Sequence, residues 1–252
     1  MTLDPRRAGR RSVAKKATPG WRRALPRLAR STLHEDAYGA IRDALMTGRF
    51  QPGEQLTLRD LAQSLGTSMM PVRDAVGRLV AEGALTMLPN RSAALPAMTR
   101  DRLRQLYRVR LALDGMLVGD AARRIGPRDL EALTGLIERM EADRHAVDVA
   151  KFLEHNQAFH FIIYRAAGEP ILCRMMETIW LQIGPFIQHS LDEIGMAGGS
   201  KHHRAALEAL VRGDAEAACR AMAQDIVDAS EIIMRRLPEP AGEGKSVAPA
   251  PR

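Results

Sequence analysis

Three short helical patterns follow one another closely in residues 32–96, and two apolar runs around a turn complete them. The first pattern stops at Gly48, Thr57 is placed to cap a second helix, and Ser68 is placed to cap a third. The strings ALTML and AALP flank the turn sequence PNRS and are typical of the two strands of a hairpin. Helix, helix, turn, helix and hairpin in this order predict a winged helix-turn-helix.

Beyond residue 96 the chain shows only helical periodicity, with breaks such as Gly126-Pro127 between segments. With only 4% aromatic residues and 13 methionines, the core must be built mainly from aliphatic side chains, and such a composition favours helices. We therefore predict an all-α fold with a small β-hairpin wing, in which the N-terminal winged helix-turn-helix precedes an antiparallel bundle of about six helices. The predicted organisation is a basic disordered arm (1–31), the winged helix-turn-helix (32–96), the helical domain (97–237) and a disordered tail (238–252).

The net charge of +7 is concentrated in the N-terminal arm. Residues 1–30 contain ten Lys or Arg side chains and a single Asp, so the rest of the chain is slightly acidic. The arm could add nonspecific contacts to phosphates, or it could simply be a solubilising extension. The high net charge therefore does not by itself predict DNA binding.

The cysteines and the apolar segments predict a cellular compartment. Cys173 and Cys219 lie far apart, and no apolar signal segment precedes them. No run of apolar residues is long enough to span a membrane. We therefore expect a cytoplasmic protein with reduced cysteines and no membrane association.

The third predicted helix carries apolar residues where water is expected. Its inward positions are filled by valine, alanine and leucine, so Met69, Arg73 and Gly77 form an opposite stripe, with Met70 beside it. The DNA major groove admits the N-terminal end of such a helix, where an arginine reaches guanine and an apolar side chain lies against thymine methyls. The alternative is that Met69 and Met70 pack against the helical domain or a neighbouring chain.

Residues 37–95 resemble the DNA-binding domain of the GntR family of transcription regulators. The most specific strings are GRFQPGEQL, TSMMPVRDAVGRLVAEG and PNRSA. The resemblance implies that Arg59 contacts a phosphate or a base edge and that Ser68 lies near a phosphate. It also implies that Arg73 is the main base-reading residue.

Two further positions carry implications of the same resemblance. Many relatives have an arginine where this chain has Met69, so a guanine contact is missing, and the operator is expected to differ or to be read partly through thymine methyls. Asn90 and Arg91 lie at the wing tip, where relatives reach the minor groove. For Arg91, an ordinary solvated turn is the alternative.

Four polar residues lie on apolar faces of helices in residues 97–237. Asn156 and His160 are one helical step apart, and His203 and Asp225 lie on two later apolar stripes. If these faces converge, two imidazoles and two oxygen donors meet at one interior point, which suits a divalent cation with open positions for a carboxylate effector. The alternative for each histidine is a core side chain satisfied by a hydrogen bond.

Residues 101–237 resemble the FCD effector domain of the FadR-like branch of the GntR family, through LYRVRLALDGMLVGDAARR, NQAFHFIIYRAAGEPIL and HHRAALEALVRGDAEAA. In metal-binding relatives, Asp commonly occupies the position of Asn156 and His that of Asp225, whereas His160 and His203 match directly. The resemblance implies a divalent metal such as Zn. It also implies that Arg110 binds an anionic effector, although an ion pair with Asp114 is an alternative.

These patterns together predict a transcription regulator that is not an enzyme. It would bind a palindromic double-stranded DNA operator as a homodimer, under the control of a small organic acid bound in the helical domain. One alternative is a metal-dependent hydrolase built on the cluster of His160, His203 and Asp225, with Glu154 and Glu177 as the acid or base that sequence proximity alone suggests. Another is a scaffold whose basic arm binds RNA or polyphosphate.

Overall fold

The computed structural model describes residues 32–190 and 200–238. Within these residues the elements are α1 (Thr32–Met46), β1 (Gln55–Leu56), α2 (Leu58–Ser64), α3 (Met69–Ala81), β2 (Thr86–Met87), β3 (Ala93–Ala94), α4 (Arg100–Arg124), α5 (Pro127–Ala146), α6 (Val149–Ala166), α7 (Pro170–Ser190), α8 (Lys201–Val211) and α9 (Ala215–Arg236). The predicted fold class, a winged helix-turn-helix followed by six helices, is confirmed. The predicted arm and all but the first residue of the predicted tail lie outside the described residues.

Local sequence signals define the ends of the first three helices. α1 ends shortly before Gly48, which adopts a left-handed φ of +69°. Thr57 caps α2 as predicted, because its Oγ1 accepts a hydrogen bond from the backbone N–H of Asp60 at 3.1 Å. Ser68 occupies the N-cap position of α3, but its hydroxyl does not form the expected capping hydrogen bond. The first N–H groups of α3 are therefore available to another acceptor.

The wing is a three-stranded antiparallel sheet in the order β1-β3-β2. Ala94 of β3 lies opposite Gln55 on one side and Thr86 on the other. The predicted hairpin of β2 and β3 is present, and β1 adds a strand that the sequence did not reveal. A strand of two residues is too short to show an alternating pattern, which explains the omission.

The six helices α4 to α9 pack around α4, which contacts α6, α7, α8 and α9. α4 and α9 run antiparallel: Arg100 near the start of α4 donates to the carbonyl oxygen of Leu237 beyond the end of α9. Cys173 and Cys219 are both free thiols, as predicted. α7 is described as far as Ser190, and residues 191–199 lie outside the described part. No helix in the described ranges is both long enough and apolar enough to cross a membrane.

α7 joins the six-helix segment to the end of α1. Trp180 Nε1 donates a hydrogen bond to the carbonyl oxygen of Met46 at 3.2 Å, which satisfies a group that a helix end leaves without an intrahelical partner. One turn later, Gly184 approaches so closely that a Cβ there would lie 2.8 Å from the same oxygen. Arg42 of α1 also pairs with Glu177 of α7 at 3.2 Å. The position of α1 is therefore defined by backbone contact as well as by side-chain packing.

Candidate nucleic-acid interface and metal centre

The stripe predicted on α3 is exposed in the folded chain. Met69 and Met70 are 51% and 59% exposed, and Arg73 and Gly77 are exposed as well. The opposite side of α3 is buried in the core through Val72, Ala75, Val76 and Leu79. The two methionines therefore do not pack against the described part of their own chain. This leaves a nucleic acid or a neighbouring chain as the partner that covers these two side chains.

Side chains of α1 hold the residues that flank Arg73. His34 Nδ1 lies 2.7 Å from Asp74 Oδ2, and Glu35 pairs with Arg78 at 2.9 Å. The guanidinium of Arg78 also lies over the ring of Tyr38, 3.7 Å from its centroid. The side chain of Arg73 makes no hydrogen bond or ion pair with the residues that the structure describes. α1 thus orients α3, and the guanidinium of Arg73 in the middle of α3 stays available for a ligand.

The wing turn is organised by Asn90. Its Oδ1 accepts hydrogen bonds from the backbone N–H of Ser92 at 3.1 Å and from its hydroxyl at 2.6 Å, and its Nδ2 donates to Gln55 Oε1 at 3.1 Å. The next residue, Arg91, has an exposed side chain and a left-handed φ of +63°, which is uncommon outside glycine. Asn90 therefore shapes the turn, and Arg91 projects from it. Arg59, at the start of α2, is also exposed.

The four polar residues predicted to converge do meet inside the six-helix segment. α6 contributes Asn156 and His160, α8 contributes His203, and α9 contributes Asp225. His160 Nε2 lies 3.2 Å from Asp225 Oδ2, and His203 Nδ1 lies 3.7 Å from Asp225 Oδ1. The ligand atoms of the two histidines and Asp225 all lie within 4.8 Å of one another. Both histidines are buried, so the cluster is an interior site.

Hydrogen bonds on the far side of each ring assign the tautomers of the two histidines. His203 Nε2 lies 2.8 Å from Asn156 Oδ1, an acceptor, so Nε2 carries the proton and Nδ1 keeps its lone pair. Tyr164 donates its hydroxyl proton to Asp114 Oδ1 at 2.7 Å and therefore accepts from His160 Nδ1 at 3.2 Å. His160 Nε2 thus also keeps its lone pair. Neither of these two nitrogens has a hydrogen-bond partner within the described ranges.

This donor set fits a divalent metal ion. Burial lowers the pKa of His160 to about 4 and also lowers the pKa of His203, so both imidazoles are neutral at neutral pH. Burial alone would raise the pKa of Asp225, but His203, His160 and Arg110 outweigh it and hold that pKa below its usual range. Two neutral imidazoles and a carboxylate are the forms that bind a cation. Sequence reasoning placed Asn156 among the ligands, whereas its Oδ1 here orients His203.

Arg110 lies buried beside this cluster, only 2% exposed. Its guanidinium stacks over the ring of Trp180, 4.5 Å from the centroid, and its Nε and Nη1 have no hydrogen-bond partner among the described residues. The hydroxyl of Tyr107 is likewise buried without a partner in that part of the chain. The ion pair of Arg110 with Asp114, weighed as an alternative, is not formed; Asp114 accepts from Tyr164 instead. Buried donors in this state favour an anionic ligand.

Tyr164 and Trp180 are parts of this site that sequence reasoning missed. Tyr164 lies one helical step after His160, so the same spacing that selected Asn156 could have found it. Trp180 packs against His160 in a tilted arrangement, with 5.1 Å between ring centroids, and no spacing within α7 predicts that contact. Neither acid suggested for a hydrolase belongs to the cluster: Glu154 is exposed, and Glu177 pairs with Arg42.

Comparisons with known proteins agree with both halves of this description. Residues 33–95 match the family model described as bacterial regulatory proteins, gntR family, and residues 105–228 match the FCD domain. The HTH-type transcriptional regulator McbR of Escherichia coli (strain K12) is 30% identical over 197 residues, which cover 77% of this chain and 89% of McbR. A probable D-xylose utilization operon transcriptional repressor of Paenarthrobacter nicotinovorans is 26% identical over 200 residues, covering 79% and 88% of the two chains.

Solved structures extend the similarity to three dimensions. The structure of E. coli McbR/YncC superposes with a TM-score of 0.77 at 27% identity and covers 82% of this chain and 99% of that one. A putative GntR transcriptional regulator from Rhodococcus sp. RHA1 superposes with a TM-score of 0.69 at 19% identity, covering 82% and 100%, and so supports the fold alone. The relatives named here are transcription regulators and not enzymes.

Proposed function

The chain belongs to the GntR family of bacterial regulatory proteins and carries an FCD domain, and on that premise we propose that it binds a palindromic DNA operator as a homodimer controlled by a small anionic effector. A cytoplasmic location is part of the proposal. So is the division into a DNA-binding domain over residues 32–96 and an effector domain over 97–237. The two family matches, which end at residue 95 and begin at residue 105, support that division.

The observation that carries the proposal is the uncovered edge of α3. An amphipathic helix in a folded domain normally exposes polar residues, but this one exposes Met69 and Met70 at its first turn. The major groove accommodates this end of a helix, and thymine methyls offer the apolar surface that methionine side chains require. Arg73 lies one turn further along the helix, and from there its guanidinium would reach guanine O6 and N7.

The remaining predicted contacts are arranged around α3. Arg59 and Ser68, both exposed, would contact phosphates beside the groove, and Arg91 would reach the minor groove from the wing. Asn90 would contribute mainly by holding the wing turn in shape, because its side-chain oxygen and nitrogen are already engaged with Ser92 and Gln55.

Binding of a selected duplex and of a shuffled duplex of the same length tests this function. At equal salt concentration we expect the selected sequence to bind about 10³-fold more tightly or better, as is typical of specific regulators. Equal affinities would mean that only phosphates are contacted, and the proposed function would then be wrong.

In the effector domain, His160, His203 and Asp225 would hold a divalent metal ion, Zn or another first-row ion. A bound ion would supply a localised positive charge and coordination positions that carboxylate oxygens can take. Arg110, buried beside the cluster, would bind the same class of ligand through donors that have no partner among the described residues. A small organic acid fits both features, since it is anionic and rich in oxygen acceptors.

Trp180 is the side chain that connects this site to the DNA-binding domain. Its ring packs against that of His160, lies under the guanidinium of Arg110, and donates its indole N–H to the Met46 carbonyl oxygen at the end of α1. A ligand that shifts His160 or Arg110 must therefore move the indole or its hydrogen bond. Because α1 orients α3, the effector would bias the placement of the DNA-reading helix.

Replacing Trp180 with phenylalanine tests this connection, because it keeps an aromatic ring and removes the N–H. In the parent protein, we expect operator affinity measured with Zn²⁺ and after chelation to differ by about fivefold or more. Trp180→Phe should bring that ratio close to one. Gln182→Ala is the matched control. Gln182, also on α7, donates from its Nε2 to the carbonyl oxygen of Glu82 in the DNA-binding domain and does not touch the metal cluster. If Trp180→Phe kept the affinity ratio of the parent protein, Trp180 would not connect the metal site to the DNA-binding domain. If the ratio were already one in the parent protein, metal would not control DNA binding.

A further inference from the structure

One face of α4 is left uncovered by the rest of the described chain. Val109 and Met116 are 44% and 55% exposed, Ala112 between them is exposed as well, and Arg108 is the charged side chain exposed beside them. A Cβ added at Gly115 would meet nothing within 4 Å. The other sides of α4 pack against α6, α7 and α9. An apolar stripe along the middle of a helix that is otherwise packed is a candidate contact surface for another protein chain.

The charges at the two ends of this face indicate what covers it. Asp101 pairs with Arg104 near the start of α4, and Asp120 pairs with Arg123 near its end. Ala112 lies midway between the two pairs: Asp101 and Arg123 are each 11 residues from it, and Arg104 and Asp120 are each 8 residues from it, so the members of each couple carry opposite charges. The face is therefore complementary to an antiparallel copy of itself, which is the property that a twofold interface requires.

The same charges oppose other arrangements of two copies. A parallel pair would place Asp101 against Asp101 of the partner subunit. An antiparallel pair slid by three residues would place Arg104 against Arg123 of the partner subunit, or Asp101 against Asp120 of the partner subunit. Like charges directly opposite each other disfavour such registers, so the sequence selects one register among several.

We propose that two copies of this chain pair through this face of α4, antiparallel, with Ala112 on the twofold axis. Val109 then lies opposite Gly115 of the partner subunit, the stem of Arg108 lies along Met116 of the partner subunit, and Asp101 lies opposite Arg123 of the partner subunit. At a shallow crossing angle of about 20°, two helices stay close over the distance between the charged pairs. The inference rests on the homodimer of the proposed function and adds the surface and the register of pairing.

A cysteine at the axis tests the register directly. Ala112→Cys, made in a background with Cys173→Ser and Cys219→Ser, brings two thiols together across the twofold axis, so mild oxidation should yield a disulfide-linked dimer on a nonreducing gel. Ala132→Cys, at an exposed alanine of α5, is the matched control and should stay monomeric on the same gel. If the two variants cross-link to the same extent, or if neither does, the proposed axis is wrong.

A charge in the apolar stripe tests the surface independently. We expect Met116→Asp to raise the dimer dissociation constant at least tenfold by light scattering and dilution, with unchanged helical content. Met175→Asp, at a 48% exposed methionine of α7, should leave it unchanged. A parent protein that is monomeric throughout would refute the homodimer itself. A parent dimer that Met116→Asp does not weaken would refute only this surface.

Discussion

Replacing Arg73 with alanine is expected to lower affinity for the selected operator by about 5- to 150-fold, which corresponds to about 1–3 kcal/mol for one bidentate contact to a base. The reason lies in the position of Arg73 at the middle of the exposed edge of α3, where its side chain makes no hydrogen bond or ion pair with the described residues. Binding of a shuffled duplex should change far less, because phosphate contacts by other residues persist. Fluorescence anisotropy on both duplexes at one salt concentration measures the difference.

Arg128→Ala provides the matched control, since Arg128 is an exposed arginine on α5, outside the helix-turn-helix. It should leave both affinities unchanged, which separates the loss of one contact from the loss of one charge. If Arg73→Ala lowered the affinity for the selected and the shuffled duplex equally, Arg73 would contact a phosphate. The proposed base contact would then be wrong.

Replacing His160 and His203 together with alanine is expected to abolish stoichiometric metal binding. The two rings supply the only buried nitrogen lone pairs that meet Asp225 in the described part of the chain, and a lone carboxylate does not hold a first-row ion tightly. Metal analysis after equilibration with Zn²⁺ should find about one ion per chain in the parent protein and none in the variant. The melting temperature should also rise with Zn²⁺ in the parent protein alone, because a ligand of the native state stabilises it.

The chain offers close controls for this experiment. His202 lies next to His203 but pairs with Asp228 at 2.8 Å, and Asp228 lies one turn beyond Asp225. His202→Ala and Asp228→Asn should therefore keep the metal, whereas His203→Ala and Asp225→Asn should lose most of it. Metal retained at parent stoichiometry by the His160 and His203 double variant would show that the ion binds elsewhere.

Local signals explain why most of the fold could be predicted from the sequence. Thr57 caps α2 and Gly48 follows α1 as expected, because caps and left-handed glycines act within a few residues of the chain. β1 escaped prediction because its two residues gain their conformation from pairing with β3. Ser68 marks the start of α3 correctly, yet its missing capping hydrogen bond depends on a side-chain rotamer that the sequence does not specify.

For the metal cluster, the sequence could predict which residues take part but not how their side chains meet. The i,i+4 spacing of Asn156 and His160 defines one helix face, but the approach of His203 and Asp225 depends on how three helices pack. The role of Asn156 depends on a further detail, the hydrogen bond from His203 Nε2, which decides which ring nitrogen is left free. The contact of Trp180 with Met46 joins residues far apart in sequence, so no local pattern contains it.

Selection of bound duplexes from a random pool tests the central claim, that the exposed edge of α3 reads a DNA sequence as part of a symmetric dimer. Sequencing of the bound fraction is expected to return an inverted repeat whose half-site centres lie about one DNA turn apart, roughly 10 base pairs. The same selection with Arg73→Ala should lose the preference at one position of each half-site. A bound pool with no enriched motif would contradict the claim.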